Sequence, residues 1–164
     1  MKANLPAIDR DLFRSVMRRQ ASCVTVITTA HGEHIHGMTA TAFSSVCADP
    51  PTIVIVVNRS TRSHPIIGDS GVFVVNILAN DQRAMAERFA GKLDDQFFGI
   101  DYHVGSTSGP ILDGAAAHLE CQVVSRTEIE THTLFVGRVV AGDVADATPL
   151  IYHDGRYASL AERD

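Results

Sequence analysis

Basic charge is scarce in this chain of 164 residues: fourteen Lys and Arg stand against nineteen Asp and Glu, a formal net charge of −5. With a pI near 5.9, the chain lacks the clustered positive potential of a general nucleic-acid or anionic-membrane binder. Cysteine is equally sparse. Cys23, Cys47 and Cys121 are widely spaced and form neither a CxxC pair nor a zinc pattern, so they read as buried or inert thiols of a reducing cytoplasm. No apolar run approaches the ~20 residues that cross a bilayer. The N-terminal MKANLPAIDRDLFRSVMRRQ is broken by charges and has no signal-peptide core. Glycine and proline are not in excess and no segment is of low complexity, so long disorder is not expected. GxGxxG, P-loop and HExxH motifs are also missing. What is there is 45% hydrophobic, of a length that suits one domain over residues 1–164, able to bury roughly 70% of its unfolded surface.

The periodicity changes early. Asp9 is a plausible N-cap for a helix in which Leu12, Phe13, Val16 and Met17 form one apolar stripe. Arg18 and Arg19 fall in its last turn, where the helix dipole favours them. From Cys23 to Thr29 the chain is rich in β-branched residues and predicts a strand. His31-Gly32-Glu33 turns it into a second strand over His34 to Phe43. Pro50-Pro51 separates this from Thr52 to Val57, whose near-continuous apolarity predicts a strand buried on both faces. A polar, doubly basic loop (Asn58 to Ser63) follows, then a buried strand from Val72 to Leu78. Asn80 or Asp81 is expected to cap a second helix, with Gln82, Met85, Ala86 and Phe89 on one face and an end near Gly91. The stretch 94–109 reads as loop. Further strands are expected over His118 to Thr127, Thr133 to Val140, Leu150 to Tyr152 and Tyr157 to Leu160. Strands do not alternate with helices, so an antiparallel barrel with two helices at its ends is expected rather than a doubly wound sheet.

Few of the common chemical signatures survive inspection. Gly105-Ser106-Thr107-Ser108-Gly109 has the outline of a nucleophile elbow, but Thr107 stands at its centre, and a flexible loop is expected. His34 and His36 share a strand face and could chelate a metal, yet nothing nearby supplies a third ligand, and no metal is expected. Asn58-Arg59-Ser60 matches a glycosylation sequon that has no meaning without a signal peptide. Hydride transfer between two bound cofactors needs neither a protein nucleophile nor a metal. It needs two flat rings held face to face, with the chemistry carried by the cofactors.

Small residues and accessible backbone suit such a site, and both are dense between Gly37 and Pro51. Thr39 and Thr41 would share a strand face. Ala40, Ala42, Ser44 and Ser45 leave main-chain N–H and C=O groups open to the polar edge of a planar heterocycle. The plain alternative is a hydroxyl-rich strand and turn. Downstream, Ser60, Thr61, Arg62 and Ser63, with Arg59, could ligate a phosphate through hydroxyls, amides and a guanidinium fork. The plain alternative there is a solvated turn. A ring site and a phosphate site one strand apart suggest a mononucleotide, with flavin the natural candidate.

These residues resemble the short-chain flavin reductases of the FMN-binding split-barrel fold, the reductase components of two-component flavin-dependent monooxygenases. The resemblance runs from Phe13-Arg14 and Ala21 to Thr29 into Gly37-Met38-Thr39, Phe43-Ser44-Ser45-Val46 and Asp49-Pro50-Pro51. It continues through Phe73 to Leu78, Gln82, Phe89-Ala90, Pro110-Ile111-Leu112 and Leu119-Glu120-Cys121. His132 to Gly137, Pro149 to Tyr152, Gly155 and Tyr157 complete it. The chain departs from the family at Ala42 and Cys47, where Ser or Asn and Ser are common, and at Glu130-Thr131, where Gly-Asp commonly precedes the histidine.

The resemblance implies a mainly β split barrel, antiparallel and Greek-key-like, with a few flanking helices. It implies an NAD(P)H:flavin oxidoreductase that takes FMN or FAD and NADH or NADPH and supplies reduced flavin to a partner monooxygenase. The flavin would contact Thr39, Ala40, Thr41, Ala42, Ser44 and Ser45, with Asn58, Ser60, Thr61, Arg62 and Ser63 at its phosphate and Phe89 and Ala90 beside it. Nicotinamide would stack near His132, the catalytic candidate in a positioning role, and near Tyr152 and Tyr157. A cytoplasmic homodimer is implied, with no nucleic-acid or membrane partner. The rival readings are a non-catalytic flavin carrier and a pyridoxamine-phosphate-oxidase-like enzyme on the same fold.

Overall fold

The computed structural model describes residues 5–161. Residues 1–4, the start of the charge-broken N-terminus, and residues 162–164 lie outside the described residues, and with them the two ends of the 1–164 domain reading. The chain opens with helix α1 (Arg10–Met17), followed by β1 (Ser22–Cys23), β2 (Thr25–His31), β3 (His34–Ala40), β4 (Phe43–Ala48) and β5 (Pro51–Asn58). Helix α2 (Ser63–Ser70), β6 (Val72–Ile77) and α3 (Arg83–Ala90) come next. The rest is strand and loop: β7 (Tyr102–Val104), β8 (Pro110–Leu112), β9 (Ala117–Ile129), β10 (His132–Val144), β11 (Ile151–His153) and β12 (Arg156–Ala158). Among the described residues no helix is long and apolar enough to cross a membrane.

Seven strands form one sheet in the order β3-β2-β6-β9-β10-β5-β4, every neighbouring pair antiparallel. Its outer strands, β3 and β4, are consecutive in the chain, and only Thr41 and Ala42 lie between them. From Ala40 to Phe43 the chain spans at most about 11 Å, far less than the width of a flat seven-stranded sheet, so the sheet must curl until its edges meet. The two edges come together without a ladder between them, so a seam remains along β3 and β4. The expected antiparallel barrel is the observed architecture. A three-stranded sheet (β1-β11-β12) and the β7–β8 pair flank it.

Burial explains where the core sits. Ile27, Ile55, Val57, Phe73, Val75 and Phe135 fill the barrel, and Ile67 of α2 joins them. A second cluster, with Val24, Val26, Leu78, Ala86, Phe89 and Leu112, lies beneath α3. Strand β2 therefore sends Ile27 to one cluster and Val26 to the other, as the period of two requires. The strand buried on both faces is β2, with β6 beside it, rather than the more uniformly apolar β5. Val54 and Val56 of β5 are only half-buried. Gly137 is fixed by close packing: a Cβ there would lie 2.5 Å from the Phe73 ring.

Several expectations are corrected. The single strand expected over His34 to Phe43 is two strands broken at Thr41–Ala42. The described residues form three helices, not two: α2 (SHPIIGDS) carries a proline in its first turn, a glycine inside, and only Ser63 and Ile67 buried, so it shows no helical stripe. Its end is marked by Gly71 at φ 68°. Helix α3 is capped at Gln82, not at Asn80 or Asp81, and Gln82 Oε1 accepts from Ala79 N at 3.0 Å. Asp9 does cap α1, its Oδ2 accepting from Asp11 N and Leu12 N at 2.9 and 3.1 Å. Yet the α1 stripe is uncovered, with Leu12, Phe13, Val16 and Met17 all about half exposed. Cys47 is exposed, whereas Cys121 is buried, its thiol pushed up to about 12 by burial and the neighbouring Glu120.

Two polar side chains pin the barrel from within. Asn76 is fully buried, its Nδ2 donating to Val26 O (3.1 Å) and Thr28 Oγ1 (3.1 Å), while Oδ1 accepts from Leu112 N (2.9 Å). It thus ties β2, β6 and β8 together. Glu120 is 3% exposed, and its Oε2 accepts from Thr107 N (2.6 Å) and Thr107 Oγ1 (3.0 Å). The Gly105–Gly109 segment is therefore an anchored loop, not a free one. Burial pushes the Glu120 carboxyl up, but bonds from Thr107 and Ser106 and the nearby His118 bring it below its ordinary value. A carboxyl lowered by folding stabilises above its unfolded value of about 4.3 and loses that contribution as pH falls through its folded value. Glu120→Gln is expected to cost about 1–3 kcal/mol at pH 7. In urea titrations the gap from wild type should narrow as pH falls below 4. A gap independent of pH would show that the carboxylate charge contributes nothing.

Candidate active site

The seam where the sheet edges meet is the least protected part of the barrel. Thr41 and Ala42 are exposed, as are Ser44 and Ser45 on β4. The break is stitched by backbone: Phe43 N donates to Thr41 O (3.0 Å) and Val56 N to Ala42 O (3.1 Å). Small side chains at this point leave main chain and the half-buried Val54 and Val56 facing a shallow hollow, bounded on its far side by Met17 of α1.

A cleft of about 580 Å3 opens beside the seam, between β3, the loop after β5 and the C-terminal end of α3. Thr39, Ser60, Thr61, Arg62, Phe89 and Ala90, all expected from the sequence, line it together. Close packing builds its floor. A Cβ at Gly37 would lie 2.6 Å from two atoms of the Phe89 ring, so glycine lets α3 sit directly on β3. Thr39 Oγ1 donates to Ala86 O at 2.6 Å, which commits its hydroxyl to holding α3.

A smaller hollow continues the cleft. Thr39 and Ala90 belong to both, and Ala40, Thr41, Tyr152 and Tyr157 complete the second. The tyrosine rings meet edge to face with centroids 5.5 Å apart, and the Arg83 guanidinium lies 5.1 Å from the Tyr157 centroid. His132 stands apart from them. It faces Asn58 across the β5–β10 ladder, half-buried, with Nδ1 2.9 Å from Thr131 Oγ1. The sequence reading placed His132 and the two tyrosines on one nicotinamide side; in the fold they lie at different places around the cleft.

The phosphate-type loop has an internal scaffold. Asn58 Oδ1 accepts from Ser60 N (2.9 Å) and Ser60 Oγ (2.8 Å), and Thr61 Oγ1 donates to Asn58 O (2.8 Å). Asn58 therefore shapes the turn that presents Ser60, Thr61 and Arg62. Ser63 begins α2 and is fully buried, its Oγ 2.6 Å from His36 Nδ1. Its hydroxyl does not face the cleft. Burial, then the Arg62 charge, lowers the His36 pKa, so this imidazole is neutral at pH 7.

Arg62 reaches across the cleft mouth to Asp94 Oδ1 (3.1 Å) and Leu93 O (2.6 Å). Lys92, which the sequence reading passed over, lines the same cleft immediately after the glycine that ends α3. His36, Gln96 and Asp94 were missed as well. The only sequence signal for Lys92 was its place beside Phe89-Ala90, since a lone lysine in a loop carries none. The assembled site pairs a small-residue seam, accessible from one side, with a cleft that holds two cations. That arrangement fits a flat heterocycle carrying a phosphate.

Comparison with known proteins agrees with this geometry. The family described as "Flavin reductase like domain" matches residues 17–161. The chain is 37% identical over 158 residues to the reductase component of a 4-nitrophenol 4-monooxygenase/4-nitrocatechol 2-monooxygenase from Rhodococcus opacus, covering 96% of this chain and 85% of that one. It is 35% identical over 153 residues to an FMN reductase (NADH) from Stutzerimonas stutzeri, covering 92% and 87%. Among solved structures, the flavin reductase PheA2 in its native state superposes with a TM-score of 0.87 at 34% identity, covering 94% of this chain and all of that one. Matched along nearly its whole length in sequence and in fold, the chain belongs to the flavin reductase-like family.

Proposed function

We propose that the protein is an NADH-dependent flavin reductase, which passes hydride from reduced nicotinamide to FMN or FAD and releases the reduced flavin to a flavin-dependent monooxygenase. The balance is NADH, oxidised flavin and one proton giving NAD+ and reduced flavin. The observation that carries the reading is adjacency: the Thr41–Ala42 seam runs directly into a cleft containing Arg62 and Lys92. Flavin supplies the hydride-accepting ring when bound, and the chain's own residues position it. Backbone from Thr39 to Ser45 meets the ring edge. Ser60, Thr61 and Arg62, on a turn shaped by Asn58 and Ser63, hold the phosphate together with Lys92 from beyond α3. Phe89 and Ala90 form the floor, His132 positions the nicotinamide, and Tyr152 and Tyr157 line the hollow that continues the cleft.

NADH rather than NADPH is supported by the name of the Stutzerimonas stutzeri relative. The oxygenase partner is supported by the Rhodococcus opacus relative, itself a reductase component. A cytoplasmic homodimer completes the reading. Its support is the uncovered α1 stripe, where Phe13, Val16 and Met17 are exposed beside the seam. A second copy would cover that surface.

Purified protein given NADH and free flavin should consume many equivalents of NADH. A non-catalytic carrier would stop after about one equivalent, and that result would overturn the reductase reading. Arg62→Ala should weaken FMN binding by about 1.5–3 kcal/mol, the worth of a charge-assisted hydrogen bond, and leave riboflavin nearly unaffected. Equal losses for both flavins would remove the phosphate from this cleft. His132→Ala should raise the KM for NADH and lower kcat/KM without changing the flavin Kd, because a positioning imidazole acts only on the second ring. Wild-type kinetics in the folded variant would make His132 structural.

A further inference from the structure

We propose that Asp94 competes with the flavin phosphate for Arg62, and so sets how readily flavin leaves the cleft. The inference rests on the phosphate placement above and deepens it.

In this structure both terminal nitrogens of Arg62 are already engaged. Nη2 donates to Leu93 O at 2.6 Å and Nη1 to Asp94 Oδ1 at 3.1 Å, both acceptors on one loop. A phosphate that takes the same two N–H groups displaces these acceptors, and one that takes the remaining N–H groups still shares the guanidinium charge with the Asp94 carboxylate. The loop does not depend on Arg62 for its place. Arg88 holds it from α3, with Nε donating to Gln96 O (2.5 Å) and Nη2 to Phe98 O (2.7 Å) and Asp95 O (3.3 Å). The buried Gln96 also accepts from Gly37 N at 3.3 Å. Loop position and Arg62 occupancy are thus separate features.

Asp94 is suited to exchange. Its side chain is fully exposed, and the Arg62 side chain is 47% exposed. An exposed ion pair of this kind is weak enough for a dianion to replace it. After replacement the carboxylate still lines the cleft and repels the bound phosphate. Both effects act on phosphate charge and neither reaches the ring. For a reductase whose product must travel to another enzyme, a built-in competing anion shortens residence without loosening the ring site.

Full-length Asp94→Asn keeps the shape and removes the charge. Titrated with FMN and riboflavin at low ionic strength, it is expected to bind FMN about 3–10-fold more tightly. Riboflavin should stay within about twofold, and stopped-flow FMN release should slow by a similar factor. The gain should fade in high salt and shrink when Arg62 is also replaced by Ala. Unchanged or weaker FMN binding, equal shifts for both flavins, or an undiminished gain without Arg62 would overturn the role of Asp94. The single Arg62→Ala variant separates the two failures. If it discriminates FMN from riboflavin while Asp94→Asn does not, only the competition fails. If it treats both flavins alike, the phosphate placement fails and the competition with it.

Discussion

The two residues between β3 and β4 constrain everything else in this molecule. Because the outer strands of a seven-stranded sheet are neighbours in sequence, the sheet has to roll up to connect them. Rolling turns one face inward, and the inward face must be filled, which explains Phe73 and Phe135 at full burial and glycine at 137 where the Phe73 ring would otherwise collide. It also leaves a line along which the ladder is interrupted. A bulky or β-branched run at that line would close it. Thr41, Ala42, Ser44 and Ser45 keep it open, so the weakest part of the barrel is also where backbone can be reached from outside.

Around that seam the other elements act as supports whose residues are chosen for contact rather than chemistry. Helix α3 is held on β3 by the missing side chain at Gly37 and by the Thr39 hydroxyl on Ala86 O. Helix α2 follows the Asn58–Arg62 turn and locks it through the Ser63–His36 bond. Two buried polar groups fix what flanks the barrel: Asn76 ties β8 to it through Leu112 N, and Glu120 anchors the 105–109 loop through Thr107 N. The site is therefore rigid on three sides, and its exchangeable features lie at the cleft mouth.

Much of this was legible in the sequence. The β-branched runs gave β2, β5, β6, β9 and β10 nearly in place, and Asp9 marked its helix. The strand-rich pattern with small residues after Gly37 pointed to the right surface. What failed did so for physical reasons. Helix α2 is stabilised by burying Ile67, and no periodic stripe records one buried apolar residue in eight. The break at Thr41–Ala42 follows from barrel closure, a long-range requirement that local composition does not carry. Arg62 was found because it sits among hydroxyls, whereas Asp94 and Lys92 come into the same cleft only through folding of a loop more than 28 residues away in sequence. Ser63 was expected at the phosphate because a polar residue in a polar run gives no sign that a helix is about to turn it inward.

The composition of the site also decides where the proton of the reaction comes from. Reduction of flavin by hydride takes up one proton for each NADH oxidised. Within the cleft the imidazole of His36 is engaged with Ser63 and kept neutral by burial and by the Arg62 charge, and its Nε2 is buried. It is therefore a support for the phosphate turn rather than a donor to the ring. Lys92, Arg62 and Asp94 lie together in the cleft. The seam, in contrast, is open to water at Thr41, Ala42, Ser44 and Ser45. A ring lying there has one face on protein and an edge in solvent, so water can deliver the proton while the protein's task remains orientation. A site relieved of acid–base work can be written in threonine, alanine and serine, which is how this sequence writes it.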